Sequence, residues 1–265
     1  MPYASSMLSS AQRSSYRSDG YLIPDFRMPE EVLERIREHH TALVDRYPEY
    51  RDYCPALLDL DPWFLEACSQ PEIVQMVSEL IGEDLALWNS SFFAKPARNG
   101  KRTPWHQDGE YWPITPLATC TVWLAVDDSN TTNGCLRVLR GSHREQRLRA
   151  HQRLASSDVT LTQELAPGEY SPDDAVDLVL EAGQVSLHDV YLLHGSEANQ
   201  SAYPRRAMTM RFMPTTSHFD RELAVRKALD LQIVDHSRRP VYLMKGIDRC
   251  GKNLFVNAVA RQPSP

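Results

Sequence analysis

The sequence has no apolar run long enough to cross a membrane, and its N-terminal segment lacks the apolar stretch of a secretory signal. It has no excess of basic residues either: 29 Lys and Arg stand against 35 Asp and Glu, which gives a net charge of −6 at pH 7. Nucleic-acid binding depends largely on clustered positive charge. We therefore expect neither a membrane nor a nucleic acid among the partners of this protein.

Cysteine is also scarce in this sequence. The five cysteines are odd in number, scattered and without a C-x-x-C pair; they are Cys54, Cys68, Cys120, Cys135 and Cys250. This spacing is untypical of a disulfide framework or a structural zinc site, and it is typical of reduced thiols. The cysteines therefore favour a cytoplasmic protein.

Helical and strand-like patterns occupy different parts of the chain. Apolar residues at helical spacing predict a helix that begins at Pro29 and a second helical zone over 63–81, ended by Gly82. From residue 85 onward, short β-type runs alternate with turn residues, and 219–231 predicts a final helix. This order predicts a mainly β fold with flanking helices, either an antiparallel barrel or a double-sheet jelly roll.

The sequence predicts a single domain over residues 1–265, because it contains no internal repeat, low-complexity tract or linker. Residues 1–18 are polar and rich in serine, and we interpret them as a flexible arm. Residues 144–182 are charged and weakly periodic. A long segment of this kind in a compact domain is typical of an active-site lid or an insertion.

The stretch 104–112 (PWHQDGEYW) is the first candidate for a chemical site. In a β-strand, residues i and i+2 point to the same face, so His106 and Asp108 would project together. These are two of the three ligands of the 2-His-1-carboxylate site that binds non-haem Fe(II). Taken alone, a His-x-Asp is short and common, and a surface histidine beside a turn aspartate explains it better. The interpretation requires a second imidazole.

His194 can supply that imidazole, since it ends an apolar run over 190–194. Residues 205–212 then return as a strand, and if the two segments are neighbours, about 4.8 Å apart, Arg205 lies across from His194. Fe(II) held by two imidazoles and a carboxylate keeps positions for a 2-oxo acid and dioxygen, and a guanidinium pairs with a carboxylate in bidentate fashion. Arg206 should face the opposite way, although a slip of one residue would exchange the two arginines.

Seven short motifs follow one another in a fixed order along most of the chain. They are D-G-Y at 19–21, W-H-Q-D-G-E-Y-W-P at 105–113, T-V-W-L-A at 121–125, N-G-C-L-R-V-L-R-G-S-H at 133–143, H-G-S at 194–196, N-x-S at 199–201 and R-R-A at 205–207. Together they resemble the phytanoyl-CoA dioxygenase family of Fe(II)/2-oxoglutarate-dependent oxygenases. One departure is Arg140, where the family often has proline. The resemblance implies a double-stranded β-helix (a jelly-roll, cupin-like core) with N-terminal helices packed outside.

The resemblance also implies roles for individual residues. His106, Asp108 and His194 would be the catalytic iron ligands, Arg205 would bind the carboxylate of 2-oxoglutarate, and Ser196 would help to hold it. Related halogenases have glycine or alanine in place of the carboxylate ligand. An aspartate there implies hydroxylation or another oxidation.

Five further residues are weaker candidates. Trp123 and Lys95 match family positions that line the co-substrate pocket, although core packing for the tryptophan and surface exposure for the lysine explain them equally well. Glu110, Tyr111 and Trp112 directly follow the carboxylate ligand and are candidates for the substrate side. Ordinary barrel packing is an equal alternative for these three.

The implied reaction consumes O₂ and 2-oxoglutarate, releases succinate and CO₂, and oxidises an unactivated C–H bond of a small molecule. The resemblance implies that this molecule belongs to specialised, natural-product metabolism, as for bacterial relatives of this size. An acyl-CoA substrate is less favoured, because nothing in the sequence marks a CoA pocket. Two alternatives stay open: a jelly-roll protein that binds a metal or ligand without oxidising anything, and a metal-dependent isomerase or hydrolase of the same fold. The sequence does not predict an oligomeric state.

Overall fold

The computed structural model describes residues 6–257, which consist mainly of antiparallel strands. The strands are β1 (Tyr21–Leu22), β2 (Tyr53–Cys54), β3 (Leu85–Lys95), β4 (Thr103–His106), β5 (Ile114–Thr115), β6 (Cys120–Ala125), β7 (Leu136–Val138), β8 (His151–Arg153), β9 (Gln163–Leu165), β10 (Val176–Leu178), β11 (Val185–Asp189), β12 (His194–Ser196), β13 (Arg205–Pro214), β14 (His218–Phe219) and β15 (Tyr242–Lys245). The helices are α1 (Ser10–Asp19), α2 (Glu30–Arg46), α3 (Leu57–Leu60), α4 (Phe64–Cys68), α5 (Pro71–Ile81) and α6 (Arg221–Leu231). Within these residues, none of the helices has the length and apolar character needed to span a membrane.

Two antiparallel sheets make up most of the strand structure. The larger has the order β1-β11-β6-β13-β3-β15, with β2 also beside β3, and the smaller has the order β10-β7-β12-β4. Trp123, Ala125 and Ala207 of the larger sheet pack against Leu136 and Val138 of the smaller one. The two sheets therefore face each other, and the predicted double-stranded β-helix is confirmed. Two short ribbons, β5 with β14 and β8 with β9, complete the strands of residues 6–257.

Side-chain alternation gives the larger sheet two different faces. Along β6, Cys120, Val122 and Leu124 pack into the main core with the helices, whereas Thr121 and Trp123 line the space between the sheets. Successive residues of a strand point to opposite faces, so a strand covered on both sides is buried along its whole length. The six residues of β6 are all buried.

The helices pack on the outer face of the larger sheet. α2 begins directly after Pro29, whose fixed φ suits a helix start, and Glu30 and Glu31 lie near the positive end of its dipole. Leu33 and Ile36 on its apolar stripe are fully buried in the main core. The helices predicted from Pro29, over 63–81 and over 219–231 are confirmed, with small differences at their ends.

The predicted flexible arm is wrong for the part that the structure describes. α1 occupies much of it, a capping box between Ser9 and Gln12 closes its first turn, and Leu8 and Tyr16 are buried in the main core. The serine-rich composition hid this helix, because few apolar side chains anchor it. The first five positions of the predicted arm lie outside the described residues.

The segment 144–182 contributes three strands to the fold. β8 and β9 form a ribbon, and β10 pairs with β7 at the edge of the smaller sheet. Val159 and Leu165 of this segment are buried. Its closing motion as a lid stays a prediction, as does the single domain.

We predict that Leu8→Ala lowers the free energy of unfolding by about 2–5 kcal/mol, because it removes a fully buried side chain next to α1. Urea denaturation measures this change. Met7→Ala is the matched control: the Met7 side chain is exposed, so a change within about 0.5 kcal/mol is expected. Equally small effects of the two substitutions would show that this segment does not anchor the fold.

Candidate metal centre

Three buried side chains, those of His106, Asp108 and His194, converge beside the smaller sheet. His106 ends β4, His194 begins β12, and the two residues are directly paired across these strands. One donor atom from each of the three lies within 4.8 Å of the others. Asp108 Oδ1 is 3.7 Å from His106 Nε2 and 3.9 Å from His194 Nε2. Two imidazoles and one carboxylate are the donor set of a non-haem Fe(II) site.

Asp108 reaches this centre by a route that differs from the predicted one. β4 ends at His106, and Asp108 begins a short 3₁₀ helix over 108–110, so the argument from one strand face is wrong. Gln107 holds the turn between the two ligands. Its side chain bonds the backbone of residues 147, 149 and 191, which fixes the turn to two neighbouring segments.

Backbone carbonyls orient both imidazoles. His106 Nδ1 lies 2.8 Å from the carbonyl oxygen of Pro104, and His194 Nδ1 lies 2.9 Å from that of Leu192. When Nδ1 carries the ring proton and donates a hydrogen bond to the carbonyl, Nε2 is unprotonated and can bind a metal. Burial, together with the neighbouring His106, holds the pKa of His194 well below its ordinary value, so this ring is neutral at pH 7.

The Asp108 carboxylate is ionised in spite of its burial. Burial alone raises its pKa, but interactions with His106 and His188 outweigh this effect and hold the pKa well below its ordinary value. The Thr121 hydroxyl donates to Oδ2 at 3.2 Å, and His188 Nε2 lies 3.4 Å from the same oxygen. Oδ2 is therefore held from behind while Oδ1 faces the imidazoles. Bare nitrogens and an oriented anionic oxygen fit a divalent metal ion.

A cavity of about 30 Å³ adjoins the three ligands, and Arg205, Ser196 and Trp123 also line it. Arg205 is only 1% exposed, and its Nη1 donates to the carbonyl oxygen of Phe93 at 3.1 Å. Its Nε has no partner, and no carboxylate lies within 4.0 Å of it, among the residues that the structure describes. Burial lowers the pKa of Arg205 to about 10, so it stays charged at pH 7. A buried cation without a counter-ion fits an anionic ligand.

The family model described as phytanoyl-CoA dioxygenase (PhyH) matches residues 16–207. The chain belongs to this family. A probable phytanoyl-CoA dioxygenase of Caenorhabditis elegans is 26% identical over 236 residues, which are 78% of this chain and 76% of that protein. The peroxisomal phytanoyl-CoA dioxygenase of Homo sapiens is 26% identical over 240 residues, or 80% of this chain and 70% of that protein.

A solved structure of the non-haem monooxygenase ThoJ in its apo form has the same fold, with a TM-score of 0.70 and 24% identity over 92% of this chain and 86% of that one. Membership of the phytanoyl-CoA dioxygenase family confirms the predicted enzyme class and the predicted dependence on Fe(II), 2-oxoglutarate and O₂. The non-oxidative alternatives are not favoured.

In this dioxygenase, Arg205 approaches the metal centre from the facing sheet. β12 belongs to the smaller sheet and β13 to the larger one, so the predicted pair of neighbouring strands is wrong. Arg205 and His194 instead meet across the cavity between the sheets. Arg206 points away from the cavity, as predicted, and its guanidinium donates two hydrogen bonds of 2.8 Å to Asp127.

Lys95 does not line the small cavity, and the prediction that it does is wrong. It pairs with Arg205 in the register of β3 and β13. Its ammonium, however, donates to the carbonyl oxygens of Lys101 and Glu197, each at 2.6 Å. These carbonyls hold the charge, so the side chain connects β3 with the chain that follows β12.

A second cavity, of about 230 Å³, adjoins His106 and Asp108. Tyr111 and Trp112, two of the predicted substrate-side residues, line it, together with residues 160–162 and 232–234. Glu110, the third, is absent from this lining. Its carboxylate lies 3.7 Å from His151 Nδ1 instead.

Three residues that the sequence analysis missed complete the surroundings of the metal centre. Thr121, His188 and Arg211 form a row across neighbouring strands, since Thr121 pairs with His188 on one side and with Arg211 on the other. Two of them could have been predicted from the sequence, because residues an even number apart share a face of a strand. Thr121 lies two residues before Trp123, and Arg211 lies six residues after Arg205. His188 is the third, and it lies within β11 on the same face of the sheet.

We predict that Thr121→Val weakens Fe(II) binding about tenfold, because it removes the hydroxyl that orients the Asp108 carboxylate. Anaerobic equilibrium dialysis in the absence of 2-oxoglutarate measures the affinity. Thr119→Val is the matched control, since the Thr119 hydroxyl is buried two residues away without a hydrogen-bond partner among residues 6–257. Equal affinities for the two variants would show that the hydroxyl does not support the ligand.

Proposed function

We propose that this enzyme hydroxylates an unactivated C–H bond of a small molecule, with His106, Asp108 and His194 as the iron ligands and Arg205 as the anchor of 2-oxoglutarate. One observation carries this proposal: a single cavity contains both the three donor atoms and a buried guanidinium without a salt bridge to any carboxylate of residues 6–257. Bound iron supplies the oxidising chemistry, by activating O₂ as 2-oxoglutarate is decarboxylated.

The residues around Arg205 position the co-substrate. A guanidinium and a carboxylate form paired, charge-assisted hydrogen bonds, which fix the carboxylate end of 2-oxoglutarate that lies far from the metal. The Ser196 hydroxyl adds a donor in the same cavity. The guanidinium carbon of Arg205 lies 5.4 Å from the centre of the Trp123 ring, an arrangement that holds the cation in place.

The carboxylate of Asp108 supports hydroxylation over halogenation. His106, Asp108 and His194 would hold the iron with three protein ligands, and the Asp108 carboxylate would occupy the position that a halide needs. We therefore propose oxygen transfer as the outcome.

We propose that the substrate occupies the second cavity, beside Tyr111 and Trp112. This cavity of about 230 Å³ gives a small molecule access to the side of His106 and Asp108. We propose that this molecule belongs to specialised metabolism. We also propose a cytoplasmic protein, because the cysteines of residues 6–257 are free thiols.

Anaerobic addition of Fe(II) and 2-oxoglutarate should give a visible metal-to-ligand charge-transfer band, because the 2-oxo acid chelates the metal. His106→Ala should abolish this band through loss of a ligand, with absorption spectroscopy as the measurement. His218→Ala is the control, since His218 lies away from both cavities that adjoin the ligands. Absence of the band from the unaltered protein would refute the oxygenase site.

We expect Arg205→Gln to raise the Kd of 2-oxoglutarate at least tenfold, since it removes the cation that faces the co-substrate carboxylate. Titration of the charge-transfer band gives the Kd. Arg206→Gln, one residue further along β13, removes a guanidinium that is bound to Asp127 on the opposite face and should change this Kd less than twofold. A stronger effect of Arg206→Gln would reverse the assignment of the two arginines.

A further inference from the structure

Arg211 lies where the two cavities meet, and it lines both of them. It is 4% exposed, and its Nη1 donates to the Ser91 hydroxyl at 2.5 Å. Its guanidinium carbon lies 5.2 Å from the centre of the Trp112 ring. Its Nε has no hydrogen-bond partner in the part of the chain that the structure describes. This buried guanidinium therefore has an N–H group that a ligand could use as a hydrogen-bond donor.

No carboxylate within residues 6–257 forms a salt bridge with Arg211, and its nearest acidic influence is the longer-range attraction of Asp108. Asp108, the acidic residue of the same cavity, is held at Oδ2 by Thr121 and His188 and faces the imidazoles with Oδ1, and it forms no ion pair with Arg211. The contrast within β13 is clear, because Arg206 is paired with Asp127. Burying a guanidinium without a counter-ion is costly, so an anion from outside the chain fits this position.

Bound 2-oxoglutarate would not neutralise the positive charge of Arg211. If the proposed function holds, Fe(II), the Asp108 carboxylate, the 2-oxoglutarate dianion and the Arg205 guanidinium together carry no net charge. Arg211 then leaves one positive charge where the two cavities meet. A substrate with one negative charge would neutralise it.

Asp108 is the one acidic residue in the lining of the larger cavity, and the residues beside Arg211 there are polar or aromatic. Asn89 is its partner on β3, and Tyr53 and His236 line the same space. Burial and the nearby Arg239 lower the pKa of His236 to about 3, so this imidazole adds no positive charge at pH 7. One cation beside polar and aromatic residues, with the Asp108 carboxylate turned toward the imidazoles, fits a singly charged oxyanion on an apolar body. A polyphosphate would need more than one cation.

We propose that Arg211 binds the carboxylate of the substrate, so that this enzyme acts on small carboxylic acids with an apolar or aromatic body. This inference rests on the proposed function, because it places the substrate in the cavity beside the iron ligands. Arg211 would act as a specificity residue: the carboxylate it binds fixes the distance between that end of the substrate and the metal. The same pairing would exclude neutral analogues, which leave the buried guanidinium unpaired.

Matched acids and amides test this proposal, because each pair differs only in charge. The probes are 3-phenylpropionate with 3-phenylpropanamide, indole-3-propionate with its amide, and hexanoate with hexanamide. Calorimetric titration into the anaerobic Fe(II)·2-oxoglutarate enzyme measures binding without turnover. We expect the acid of at least one pair to bind tenfold or more tightly than its amide. A wild-type enzyme without such a preference in any pair overturns the proposal.

Arg211→Gln should weaken binding of the preferred acid at least tenfold and leave binding of its amide unchanged. Arg238→Gln is the matched control, because Arg238 is an exposed arginine two residues from His236 and should keep the preference. Unchanged acid affinity in Arg211→Gln overturns the proposal. If this variant does not fold, Arg211→Lys replaces it: the acid should remain preferred but bind more weakly, since an ammonium lacks the bidentate fork. If Arg211→Lys binds the acid and its amide equally, the proposal is overturned.

The charge-transfer band separates this proposal from the proposed function. If Arg211→Gln weakens 2-oxoglutarate as strongly as Arg205→Gln does, Arg211 belongs to the co-substrate site and the inference fails while the oxygenase site stands. If Arg211→Gln binds 2-oxoglutarate like the wild type and loses only the acid preference, both stand. A wild-type protein without the band refutes the oxygenase site itself.

Discussion

The structure depends on one constraint: the larger sheet is buried on both faces, one apolar and one polar. Helices pack on one face, where Val122 and Leu124 of β6 are apolar, and the smaller sheet packs on the other, where Thr121 and Trp123 line a polar cavity. Because neighbouring residues of a strand point in opposite directions, one strand serves both faces. Polar groups on the cavity face are tolerable in a buried position only when they have partners, and Asp108 is the partner of Thr121 and His188 there.

The sequence predicted the chemistry of the centre better than its geometry. His106, Asp108, His194 and Arg205 were predicted from their order along the chain, and the structure brings all four to one cavity. Their approach to the cavity could not be read in the same way. The turn that carries Asp108 depends on Gln107, whose partners are as far away as residues 147 and 191, and local strand rules do not contain such contacts.

The other errors have similar causes. Sheet membership is a long-range property, so the sequence could not tell that β12 and β13 lie in facing sheets. The helix α1 was hidden because its stability comes from burial of Leu8 and Tyr16, not from a run of apolar residues. Lys95 matched a motif position, but backbone carbonyls capture its ammonium. In each case, a tertiary contact overrides the local pattern.

Gln107 joins two parts of the molecule that would otherwise be independent. It stands between two of the proposed metal ligands, and its side chain also holds the backbone near residues 147 and 149, where the segment 144–182 begins. The beginning of that segment is therefore mechanically coupled to the angle between an imidazole and a carboxylate at the centre. A movement that breaks these hydrogen bonds would change the relative positions of His106 and Asp108. A movement that leaves those positions unchanged would be limited to the residues after β8. The cavity wall at 160–162 lies in that part of the segment.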